Sequence, residues 1–146
     1  MKKASWILLT VLGVAITAIS LVSAFHAYST GDDYGIGLSR VSKVARGDVD
    51  VATALRGIRG TSAAFGAGYG VLFLAIVLGP YRRGDVWAWK ALLMAGLTQF
   101  VLVVLRVPIL GTQLGLSAAV IPIVILVTGL LLDVGRLKTT GRKPKV

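Results

Sequence analysis

The sequence predicts an all-α membrane protein, a four-transmembrane-helix bundle with a short amphipathic helix in the first outer loop. Three observations carry that expectation. The chain is 55% hydrophobic and 15% charged, with a mean hydropathy of +0.82, whereas a soluble domain carries roughly 25% charged residues. Its apolar residues fall into four long blocks, the mark of helices solvated by lipid. Its basic residues cluster at the breaks between blocks in a pattern that assigns sides to the membrane.

The blocks lie at about 5–25, 61–79, 88–106 and 116–133, in a single integral membrane domain over 1–146. Each is close to the ~20 residues that a helix needs to cross about 30 Å of hydrocarbon. None holds a charge in its interior. Backbone groups in lipid must be satisfied within the segment, so these runs are read as helices; the alternation of a membrane β-barrel strand is missing. Pro108 fits a helix end and Pro122 a kink within the fourth block.

Orientation follows from Lys2 and Lys3 before the first helix, Arg82, Arg83 and Lys90 around the turn between the second and third, and Arg136, Lys138, Arg142, Lys143 and Lys145 after the fourth. Four crossings put all three groups on one side. The expected location is therefore the bacterial cytoplasmic (inner) membrane, with both termini and the 134–146 tail inside and a 26–60 loop outside. The same pattern explains the net charge of +10 as contact with anionic headgroups, so no nucleic-acid partner is expected. A rival reading takes "MKK", the apolar run and "VSA" before Phe25 as a secretory signal cleaved after Ala24, although Trp6–Ala24 is long for one. With no cysteine, disulfides, thiol nucleophiles and cysteine metal sites are excluded.

The first loop is too long to be a bare connection. "STGDDYGIG" carries turn chemistry. "IGLSRVSKVARG" places Ile36, Val41, Val44 and Ala45 near one helical face and Arg40, Lys43 and Arg46 largely on another, with Gly47 as the residue after the helix end. This is the predicted surface helix. Asp48 or Asp50 then caps a helix that starts near Val51 and runs into the second block. Its Arg56 and Arg59 reach lipid phosphate or pair with Asp48 or Asp50.

Candidate chemistry is sparse. His26, the only histidine, precedes Asp32 and Asp33. Their spacing matches no metal-ligand pattern, so the expectation is no metal and an interfacial residue, with a binding role as the alternative. Gln99 is the most polar side chain deep in a block and is expected to face the bundle, either bonding a neighbouring helix or meeting a quinone carbonyl. Asp133 and Arg136 are spaced to pair on one helix face. No carboxylate lies mid-membrane, which weighs against a proton-coupled exporter. In the second block Ala63 with Ala67, and Gly66 with Gly70, form small-xxx-small pairs for close helix packing. Gly13, Ala15, Thr17, Ala18 and Ser20 of the first helix offer a partner face, and a second copy of the chain is the alternative. "YRRGDVWAWK" (81–90) reads as a hairpin anchor, with Tyr81, Trp87 and Trp89 at headgroup depth, Arg82, Arg83 and Lys90 on anionic lipid, and Asp85 able to cap the third helix.

The stretch "GYGVLFLAIVLGPYRRGDVWAWKALL", residues 68–93, resembles uncharacterised small bacterial four-helix membrane proteins in which a glycine-rich second helix ends in an arginine–glycine–acid turn followed by W-A-W. The general shape is distantly similar to the DoxX-like group, whose members include subunits of membrane quinone-linked oxidoreductases. The resemblance implies architecture and carries no catalytic residue with it. The expected role is non-enzymatic, with no catalytic residues and no resident cofactor: an accessory or lipid- or partner-binding bundle, alone or as a homo-oligomer. A quinone-binding redox-associated subunit is the alternative, and a small oligomeric transporter a further one.

Overall fold

The computed structural model describes residues 2–29, 33, 35–36, 39–110 and 116–135. Helices dominate them: α1 (Lys2–Tyr28), α2 (Val41–Ala45), α3 (Val49–Ile76), α4 (Val86–Leu110) and α5 (Leu116–Leu131), with a π-helical segment, Val77–Tyr81, continuing α3. A two-residue antiparallel hairpin, β1 (Gly35–Ile36) with β2 (Ser39–Arg40), precedes α2. Three spans are long and apolar enough to cross a membrane: Ala4–Tyr28, Val49–Tyr81 and Val86–Ile109. A shorter apolar helix covers Ala119–Leu131. Large apolar side chains on the spans face outward, among them Ile19 and Phe65, 70% and 75% exposed. Such exposure is costly in water and free of cost in lipid. Hydroxyls in these apolar helices bond back to the carbonyl one turn earlier: Thr10 to Trp6, Ser62 to Ile58, Thr98 to Met94 and Thr128 to Val124. That removes the penalty of an unmade bond in an apolar surrounding.

Asp48, one of the two aspartates expected to cap here, starts α3 at Val49, two residues before the expected start, and its Oδ1 accepts the N–H groups of Asp50 and Val51. The predicted surface helix is shorter than expected. Only Val41–Ala45 is helical, because Ile36 and Ser39–Arg40 belong to the hairpin. Val41 and Ala45 are buried, while Val44 is 45% exposed. α2 stops where Arg46 and Gly47 both adopt positive φ. The second block was expected to end at Gly79. Instead the helix widens, and the Arg82 N–H reaches the carbonyls of Val77 and Gly79. Pro80 within this segment has no N–H and would press on the carbonyl one turn back; the wider π turn accommodates both. α4 likewise runs past Pro108 to Leu110, so that proline lies in the last turn and not at the end.

Cα packing divides the chain into two compact units, 1–13 with 73–146, and 14–72. α1 and α3 contribute to both.

Candidate functional site

In the first unit the 81–90 turn is built differently from a simple headgroup anchor. Tyr81 is fully buried and its hydroxyl hydrogen-bonds Ser5 Oγ at 2.5 Å. Ser5 also donates to the Gly129 carbonyl at 2.7 Å. The Tyr81 ring therefore meets protein, which corrects the expectation that it sits among headgroups: one serine joins α1, the π segment and α5. Trp89 is half-buried, and its indole N–H donates to the Leu130 carbonyl at 3.1 Å. Trp87, Arg83 and Lys90 are exposed, as interface residues would be. Arg82 is exposed too, with its guanidinium 4.8 Å from the Trp6 ring centre, a cation–π contact. Gly84 makes the reversal at φ +106°, and Asp85 directly precedes α4 with its N–H bound to the Pro80 carbonyl. Asp133, after α5, is 2% exposed; Arg136, its expected partner, lies outside the described residues, as do Asp32 and the basic residues of the tail.

α4 and α5 frame a cleft of about 210 Å³. Leu93, Leu97 and Phe100 face Ile123, Val127 and Leu130 across it. A Cβ on Gly96 would run into the end of the Leu126 side chain, which would have to turn aside. Gln99 is half-buried and does not line this cleft; the lining is apolar side chains throughout.

In the second unit the predicted small-residue packing is present within one chain. A Cβ on Gly66 would meet Ser20 Oγ, and one on Gly70 would meet Thr17, including its backbone N and Cα. Ala63 is buried and Ala67 half-buried. Gly60 belongs to the same seam, since a Cβ there would strike the Tyr28 ring. The partner of Gly66 and Gly70 is thus α1.

Above this seam lies a polar cluster. Asp33 accepts the Ser42 N–H at 2.9 Å and the Ser42 hydroxyl at 2.8 Å, with Arg40 at 3.8 Å. Arg40, at the N-cap of α2, supplies no side-chain cap; Asp33 caps the helix from across the hairpin. The bonds from Ser42, then Arg40 and Arg56, hold the Asp33 carboxyl below its ordinary value. Arg59 donates to Ser23 Oγ at 3.0 Å and to the Gly35 carbonyl at 3.2 Å, so it ties α1 and the hairpin to α3 where lipid phosphate or Asp48 and Asp50 were expected. A cleft of about 320 Å³ opens between α2 and the start of α3, with Asp33, Asp48 and Arg56 on its lining. His26 is exposed, with its ring edge-on to Phe25. Among the described residues no group of three or more histidines and carboxylates is placed to hold a metal.

Comparison with protein-family models, curated proteins and solved structures finds no match for this chain. The sequence reading missed the second cleft and the Asp33 cap. The available signal was Asp33, a capping acceptor in the predicted turn, ahead of Ser42 in the predicted surface helix.

Proposed function

We propose that the chain is a polytopic protein of the bacterial inner membrane, a four-crossing bundle with both termini cytoplasmic, and that its role is non-enzymatic: it binds lipid within the bilayer. The observation that carries this reading is the apolar cleft between α4 and α5. In hydrocarbon an unfilled apolar groove takes an acyl chain by dispersion contact along its walls. A quinone ring would need a donor for its carbonyls, and Gln99 does not line this groove. α5 alone is short for a crossing, but its apolar run continues through Leu132, and thinning of the bilayer or tilt of neighbours accommodates such a mismatch.

The test is mass spectrometry of lipids and proteins that co-purify in mild detergent. Val127→Phe fills the groove from a partly exposed position. It should lower retained lipid several-fold. Equal lipid in both proteins would overturn the reading, and loss of a fixed protein partner in the variant would replace it with partner binding. For topology, a cysteine at Thr140 should resist labelling from outside intact cells; labelling would reverse the orientation.

A further inference from the structure

We propose, resting on the lipid-binding reading of the α4–α5 groove given above, that its occupant is an anionic phospholipid of the phosphatidylglycerol type, with one acyl chain in the groove and its phosphate on Lys90.

Lys90 lies in the second turn of α4, on the side of the helix that forms the groove. Leu93 and Leu97, which line it, follow at three and seven positions, and residues so spaced share one side of a helix. Lys90 is exposed. Among the described residues no carboxylate or other acceptor engages its ammonium. Arg82, also at this end, differs: its guanidinium lies over the Trp6 ring.

No carboxylate lines the groove. Asp85 precedes α4 and Asp133 follows α5, and neither is on its walls. Asp133 is 2% exposed and is engaged within the protein. A zwitterionic headgroup would set its own amine beside the Lys90 ammonium, with no carboxylate on the groove to receive it. A net anion meets Lys90 without that repulsion.

The spacing suits one lipid of one leaflet. From Leu93 to Phe100 the wall on α4 runs about 10 Å along the helix axis, within half of a hydrocarbon core about 30 Å thick. Lys90 stands about 4.5 Å beyond Leu93, on the side where α4 begins. Its flexible stem carries the ammonium outward toward phosphate depth. Trp89 fixes this end of the groove: its indole N–H is bonded to the Leu130 carbonyl and ties α4 to α5 beside the lysine. A phosphate followed by an acyl chain meets a cation first and apolar walls after it.

The experiment uses the full chain in nanodiscs of equimolar phosphatidylglycerol and phosphatidylethanolamine, followed by native mass spectrometry of the lipid that stays bound. The wild type should retain phosphatidylglycerol about fivefold over phosphatidylethanolamine, the discrimination expected of one lysine contact at a membrane surface. Lys90→Gln should abolish the preference while the groove still holds lipid, and Lys90→Arg should keep it. Val127→Phe, which fills the groove, should lower bound lipid several-fold and remove the excess of phosphatidylglycerol; it keeps the test decisive if Lys90→Gln does not fold. Arg83→Gln removes an exposed cation that precedes α4 and should leave the preference unchanged. A wild-type preference that is absent or reversed, or that survives Lys90→Gln or Val127→Phe, overturns the headgroup assignment and leaves the groove reading standing. Loss of the preference in Arg83→Gln to the same extent overturns it too, because the selectivity then belongs to the charge of the whole turn. Bound lipid that Val127→Phe does not reduce overturns the groove reading itself.

Discussion

α1 is packed in two ways along its own length. From Val14 onward it meets α3 through small groups: Thr17 and Ser20 against Gly70 and Gly66. Before Gly13 it is held by larger side chains and buried bonds, with Ser5 bonded to Tyr81 and to the Gly129 carbonyl and Leu9 filling the space over Gly129. The difference teaches how helices associate without a hydrophobic driving force between them. One solution is close approach of backbones; the other is a polar bond made deep among apolar side chains. Each fails in its own way, and substitutions can separate them.

The largest effect is expected at the bonded seam. Tyr81→Ala removes a fully buried ring and should cost about 3 kcal/mol or more, seen as a large drop in thermal stability of the purified protein. Tyr81→Phe deletes only the hydroxyl and should cost about 1 kcal/mol. If the two variants are equally unstable, the bond matters and the packing of the ring does not.

The glycine seam should respond to a single methyl. At Gly70 the added Cβ meets the backbone of Thr17 as well as its side chain, and a helix backbone cannot rotate away. Gly70→Ala should therefore cost roughly 1–3 kcal/mol. At Gly66 the obstacle is the Ser20 side chain, which can turn, so Gly66→Ala should cost less. Gly68 has open space around its Cβ direction. Gly68→Ala should be neutral or stabilising by up to about 1 kcal/mol through helix propensity. A thermal-denaturation series of these three variants checks the order, and equal effects at Gly70 and Gly68 would remove the argument for a close seam.

Legibility from sequence follows the range of the interaction. A cap at Asp48 or Asp50 was readable because capping is decided within three residues; that Asp48 takes it and α3 starts at Val49 was not. The glycine seam was readable because the spacing of four is local to one helix, and its partner face on α1 carried small residues too. Tyr81 was misread. The rule that places aromatic residues at interfaces is statistical, and the bond that buries this one comes from Ser5, 76 positions away. The π turn was not foreseen, because Pro80 after Gly79 signals a helix end as readily as a widened turn. The surface helix was overextended because Ile36 fits a helical period, although the hairpin pairing of Gly35 with Arg40 takes that stretch first.

The smallest expected effect is local and depends on pH. Asp33 is exposed, and its carboxylate accepts both Ser42 donors, so its pKa lies below the ordinary 3.8. A carboxyl with a lowered folded value contributes stability that is fully present above its unfolded value and is lost as pH falls through the folded one. The α2 cap should therefore hold at neutral pH and weaken only in acid below about 4. Amide-proton exchange at Ser42, measured as a protection factor so that the intrinsic pH dependence cancels, reads this out. Protection should fall in that acid range in the wild type. Asp33→Asn keeps an acceptor without the charge, and its protection at Ser42 should be lower at neutral pH and flat across the same range. A wild-type profile that is flat through the acid range would mean that hairpin packing, and not the Asp33 charge, holds the start of α2.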